Sequence, residues 1–151
     1  MKLTAALLAD AARVESGKLY VHGGGWDVLW SPTAPATHPS MALVLLFRFE
    51  FSDALENTPV TIELLDDDNA RMPFRLEEQL NVGHPAGSAR GSAIFVPQAI
   101  TISQLVLPKY GGYEFRVTSR QDELASVPFR LAPATQPGLP LATLPSPPGA
   151  S

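Results

Sequence analysis

The chain has 151 residues, of which 45% are hydrophobic and 17% charged, a balance that suits one globular domain with a single core. Fifteen acidic residues against eleven basic ones give a net charge of -4, so no diffuse attraction draws the chain to nucleic acid or to an anionic membrane surface. The absence of cysteine excludes a disulfide, a thiolate nucleophile and any Cys-ligated metal centre, and it fits the cytoplasm.

The N-terminal stretch MKLTAALLADAARV predicts a strand with Leu3, Ala5 and Leu7 on one face and Leu8 and Ala9 on the other. Asp10 closes the apolar run early for the hydrophobic region of a signal peptide. Ser16-Gly17 reads as a turn into a second strand, where Leu19 and Val21 alternate with Tyr20 and His22. The run GWDVLW then sets Trp26, Val28 and Trp30 on one face and Asp27 and Leu29 on the other, and SPTAPATHPS, with three prolines, reads as a loop. MALVLLFRFEF predicts a central strand, apolar on both faces at first, that resolves into Leu45, Phe47, Phe49 and Phe51 opposite Arg48 and Glu50.

A hairpin follows, with Val60, Ile62 and Leu64 inward, a polar turn near Asp67 to Asn69, and Phe74 and Leu76 on the return. VGHPAGSARG is a Gly-rich loop, and SAIFV and ITISQLVL read as two separate short strands. In the last hairpin Tyr113, Phe115 and Val117 face in and are answered by Ala125, Val127, Phe129 and Leu131. Tyr113, just after a glycine turn, resembles the tyrosine corner of immunoglobulin-like sandwiches. Helical periodicity is weak throughout, and no run approaches the ~18 apolar residues of a membrane-spanning helix. The expected fold is therefore all-β: a single immunoglobulin-like antiparallel β-sandwich of about seven to nine strands over residues 1–132. Residues 133–151 hold six prolines and no charge, and they read as a disordered Pro-rich tail that could serve as a docking peptide.

His22-Gly23-Gly24-Gly25 carries the signature of an esterase oxyanion loop, but no serine has glycine two positions before and after it to supply the nucleophile. The helices of an α/β-hydrolase are also missing, so the glycines read as a bulge or turn, or as a place of close backbone approach. Val28 stands where a dinucleotide fingerprint needs its third glycine. Around Asp66, Asp67, Asp68 and Asn69 the calcium-loop pattern breaks at Ala70, which leaves a solvated hairpin turn. His22, His38 and His84 lack metal-ligand spacing, and nothing in the sequence brings His22 to Asp27 or Glu114 as an acid-base pair. Glu77 and Glu78 read as one exposed and one edge-facing carboxylate. No catalytic residue, metal or cofactor is assigned.

Trp26 and Trp30 fit either the core or an interface, since large aromatics anchor both. With Gly23, Gly24 and Gly25 they form the candidate interaction segment. Together, ALLADAARVESGKLYVHGGGWDVLW, PATHP, MALVLLFRFEF, VTIELLDDDNA and GGYEFRV with ELASVPFRL resemble an uncharacterised family of small bacterial proteins of unknown function. That family opens Ala-Asp-x-Ala and continues through a Gly-Lys strand, a Gly-rich step and a Phe-Pro-Ala-like loop into a β-sandwich. Ala34 replaces the aromatic before Pro35-Ala36, and Ala70 replaces the hairpin glycine. The resemblance covers roughly Lys2 to Leu131. It implies a cytoplasmic bacterial protein and transfers no catalytic residue.

The expected function is accordingly a non-catalytic protein-interaction or assembly module, pairing with another protein or with itself. The alternative is a small-ligand or carbohydrate-binding domain using Trp26, Trp30 and Tyr20, and a third reading is a small hydrolase built on His22 and the glycines.

Overall fold

The computed structural model describes residues 1–134, and the expected tail lies outside the described residues from Thr135 onward. Nine strands build two packed sheets: β1 (Lys2–Glu15), β2 (Lys18–Gly24), β3 (Val28–Ser31), β4 (Ala36–Phe49), β5 (Asn57–Asp66), β6 (Arg71–Asn81), β7 (Ile94–Leu107), β8 (Gly111–Ser119) and β9 (Asp122–Pro133). The four-stranded sheet has the order β2-β1-β4-β7 and the five-stranded sheet the order β3-β9-β8-β5-β6. This is the expected all-β sandwich. No helix of the described residues is long and apolar enough to cross a membrane.

The core forms where inward residues of both sheets meet. Met41, Leu43, Leu45, Phe47 and Phe49 of β4 face Ile62 and Leu64 of β5, Phe115 and Val117 of β8 and Phe129 and Leu131 of β9. Phe115 is fully buried, stacked on Phe129 and edge-on to Phe74, each at 5.5 Å between ring centres. The expected tyrosine corner is present: the Tyr113 hydroxyl donates to the Lys109 carbonyl at 2.6 Å and accepts from the Lys109 amide at 3.1 Å.

β4 is buried on its outward side too. Ala42 and Val44 join Ala9 in a second cluster, against which Leu7, Ala12 and Leu19 pack. The cover comes from the β1–β2 hairpin, which pairs with β4 only as far as Ala9↔Ala42. Both hairpin strands also come within 8 Å (Cα–Cα) of β7, although β4 lies between them and it in the sheet. The hairpin therefore straps the outer face.

Five details differ from the sequence reading. A bulge at Thr4 shifts the register between Leu3 and Ala5, so Leu3, Ala6 and Leu8 turn to the core while Leu7 and Ala9 turn outward. β1 runs through Asp10 to Glu15, because its far half pairs with β2 and needs no buried face. β4 begins at Ala36 and takes Ala36 to Ser40 out of the expected loop, since those residues pair with β7 and have no strand on their other side among the described residues. Phe51 leaves the strand alternation and stacks on His84 at 4.0 Å. Finally, SAIFV and ITISQLVL are one strand, and Pro97 within it is tolerated because β7 is an edge.

The pairing is antiparallel except at β3, which runs parallel to β9. The chain reaches β3 by crossing from one sheet to the other, so no hairpin dictates its direction. β9 itself extends to Pro133, and the Ala134 amide donates to the Ser31 carbonyl at 2.9 Å. Truncating Phe115 to alanine should cost about 3–5 kcal/mol, since it empties the centre of the ring cluster. Urea denaturation checks this through a lower midpoint at unchanged slope.

Candidate functional site

Two regions gather residues with chemical potential: the Gly23–Ser31 crossover and the end of the five-stranded sheet beside it. In the crossover the three glycines divide two needs between them. Gly23 and Gly25 adopt φ of +60° and +89°, which side chains with a Cβ rarely take. Space matters at Gly24, where a Cβ would sit 2.8 Å from Val21 Cγ1 and 3.1 Å from Leu7 Cδ1, and also at Gly23, where it would meet the Asp10 carboxylate. The Gly25 amide donates to the Leu8 carbonyl at 2.8 Å and the Arg130 amide donates to the Asp27 carbonyl at 2.9 Å. The segment is thus pinned to β1 of one sheet and β9 of the other.

The two tryptophans do not share a face. Trp26 precedes β3 and packs with Leu29 against the core, its ring 6.3 Å from that of His38. Its Nε1 is buried and meets no acceptor among the described residues. Trp30, on the edge strand itself, is 60% exposed. Alternation fails because Trp26 lies in the turning crossover, where a spacing of two residues does not preserve the side of a sheet. Tyr110 lies beside Trp30's neighbour, its hydroxyl donating to the Ser31 carbonyl at 3.0 Å. A hollow of about 160 Å³ opens between the sheets here, lined by Leu29, Trp30, Thr37, His38, Leu107 and Leu131.

The sheet end carries the larger concavity, about 460 Å³, with Tyr113, Pro128 and Phe129 as an apolar floor and Asp27, Glu114 and Arg130 among its polar lining. Asp66 and Asp67 also line it, and one oxygen of each of Asp66, Asp67 and Asp68 lies within 4.8 Å of the others, which is metal-ligand spacing. The Lys109 ammonium sits among them at 3.4, 3.5 and 3.1 Å, so a protein cation already offsets part of their charge. The carboxylates also have structural work. Asp66 accepts from the amides of Asp68 and Ala70, and Asp67 accepts from Gly112. This agrees with the hairpin-turn reading.

The hydrogen bond from the Ala70 amide holds the Asp66 carboxyl below its ordinary value, aided by Lys109 and opposed by desolvation. The Gly112 amide lowers Asp67 in the same way, again with help from Lys109. Lys109 is raised, first by its hydrogen bond to Asp68. Glu114 is lowered by the Ser126 hydroxyl and by Arg116. The sequence marks Asp66 and Asp67 as a broken calcium loop and Glu114 as an unplaced partner for His22, but it gives no sign of Lys109. Lys109 and Asp68 are 41 positions apart, and only the tertiary fold joins them.

The remaining sequence candidates stay scattered. His22 is exposed on β2, paired across to Ala11, and no hydrogen bond joins it to Asp27 or Glu114 among the described residues. His38 lies on β4 and His84 in the loop after β6. Tyr20 sits on the hairpin with the Arg13 guanidinium 5.2 Å above its ring, on an element separate from Trp26 and Trp30. Glu77 is exposed and paired with Arg75, while Glu78 is half-buried opposite Val60 on the edge strand β6.

Fold and surface together define a nine-stranded β-sandwich whose glycine-rich crossover presents a tryptophan at one edge. The family model of DUF6941, a family of unknown function, matches residues 4–132, and the chain belongs to that family. No curated protein matches the chain.

Because Asp66 and Asp67 are lowered on folding, their contribution to stability is complete above the ordinary value of 3.8 and is lost as pH falls through the folded values. Chemical denaturation from pH 7 down to pH 3 should show a level midpoint that drops in the acid limb. Asp66→Asn should shallow that drop, and an acid limb identical to wild type would contradict the assignment.

Proposed function

We propose that this protein is a non-catalytic interaction module of the bacterial cytoplasm, and that the β3 edge with Trp30 is its contact surface. The observation that carries this reading is the 60% exposure of Trp30 on an edge strand, next to a hollow between the sheets. A large aromatic side chain left in water is costly in apolar area, and one set beside a pocket is the usual anchor of a protein contact. Tyr110 adds a second exposed ring, positioned by its bond to Ser31. The crossover keeps this surface rigid, because it is hydrogen-bonded to both sheets. A preformed anchor loses little conformational entropy on binding.

The ligand-binding alternative draws less support, since Trp26 turns to the core and Tyr20 lies on another element. The hydrolase reading has its His22 on an exposed strand without an acid partner in hydrogen-bond contact among the described residues.

Trp30→Ala should leave the circular dichroism spectrum and thermal midpoint close to wild type, because the ring is mostly in solvent. It should also weaken binding to a partner identified by cross-linking by roughly tenfold or more, the size of a buried aromatic anchor. Binding unchanged by Trp30→Ala would rule out this surface. A glycan or metabolite that shifts the tryptophan emission of wild type but not of Trp30→Ala would favour the ligand reading instead.

A further inference from the structure

The two edges on the far side of the sandwich are built to opposite rules. β6 closes the five-stranded sheet and is guarded: Arg71, Arg75 and Glu77 are exposed along it, Pro73 removes an amide, and Glu78 points a charge inward opposite Val60. Such features keep an edge from recruiting another strand. β7 closes the four-stranded sheet over 14 residues, IFVPQAITISQLVL, without a single charged side chain. Phe95 and Val106 are exposed on it. Beside it a hollow of about 150 Å³ between the two edges opens toward core residues Leu64, Ile102 and Leu105 and to Met72 and Phe74.

We infer that β7 pairs with β7 of a second copy of this chain, in an antiparallel two-fold contact that extends the four-stranded sheet across both molecules. The charge pattern selects this occupant. In a two-fold antiparallel pair the residue on the axis meets its own copy, so a charge there would face its like and repel it. β7 is free of charge at every register, whereas β6 is interrupted by Pro73 and carries the inward charge of Glu78. The regular stretch is bounded by Pro97, which has no amide hydrogen, and by Gln104, which has φ of +53° opposite Pro39. Residues 98–103 lie between these stops. Same-face pairing then sets Thr101 against Thr101 of the second copy, and Ile100 against Ile102. Thr101 is exposed and paired with Ala42, so it lies on the outward side of the sheet and is free of the core.

This contact deepens the interaction reading by naming a second copy, but it uses a different edge, so the two can fail separately. Sedimentation velocity of the full chain should show a concentration-dependent dimer. Thr101→Lys, which sets two ammonium groups against each other, should be monomeric with an unchanged circular dichroism spectrum and thermal midpoint. Thr101→Val should keep the dimer, as should Gln79→Lys on β6 and Trp30→Ala on β3. A wild-type protein that stays monomeric at every concentration overturns the proposal, and so does a Thr101→Lys dimer as tight as wild type. Loss of the dimer in Trp30→Ala with Thr101→Lys unaffected would move self-contact to β3, overturning this inference while keeping the interaction reading.

Discussion

Every other element of the structure is arranged by the burial of β4 on both faces. A strand in the middle of an ordinary antiparallel sandwich turns one face to water and alternates accordingly. Here Met41 to Phe47 is almost unbroken apolar sequence, with Met41, Leu43, Leu45 and Phe47 in the inter-sheet core and Ala42 and Val44 in the outer cluster. The outer cluster needs a cover, and the small residues Ala9 and Ala12 let the β1–β2 hairpin approach closely enough to provide it. A hairpin bent over the sheet cannot also stay beside β4, so β4 between Ala36 and Ser40 is left with β7 as its only ladder partner among the described residues. The glycines follow from the same geometry, because β2 ends above one sheet and the chain must then step down to the other within Gly25 to Asp27.

The parts legible in the sequence were those governed by local rules. Both later hairpins and the Ser16-Gly17 turn could be read because period-two alternation and turn residues agree there, and Ser16 and Gly17 take positive φ as such a turn requires. Tyr113 was legible because its partner lies four residues away. The failures share one cause. A bulge reverses facing, and nothing at Thr4 announces it; the parity of Leu3 against Leu7 depends on how Arg48 and Phe47 pair across the sheet. Pro97 argued for a break because its tolerance depends on edge position, which is a tertiary fact. The tryptophans were placed together by counting in twos through residues that are not in a strand.

The candidate site divides in the same way. The sequence marked the glycines and tryptophans as unusual, and the structure separates their roles: Trp26 is largely packing, Trp30 is surface, and the glycines form the hinge that sets one away from the other. Lys109 could not be read from sequence as the counter-ion of the aspartates, since ion pairs across a fold leave no local pattern. Its presence also changes the meaning of the Asp66–Asp68 run. Three carboxylates in a row suggest a cation site by composition. With two of them accepting backbone amides and a lysine among them, they become the tie between the β5–β6 turn and the start of β8.

Charge distribution on the outer surfaces gives the molecule a direction. The outward side of the five-stranded sheet is laced by Arg75 with Glu63 and Glu77, and by Arg116 with Glu114, a lattice that favours water over a protein neighbour. The outer side of the four-stranded sheet is apolar around the hairpin, and its far edge is uncharged. The charges of the four-stranded sheet lie on β1, β2 and the end of β4, so the bare part is its far edge, β7. That asymmetry is hard to account for by stability alone, because surface ion pairs contribute little to folding. The uncharged β7 edge and the exposed Trp30 ring are therefore the parts of the outer surface least suited to water.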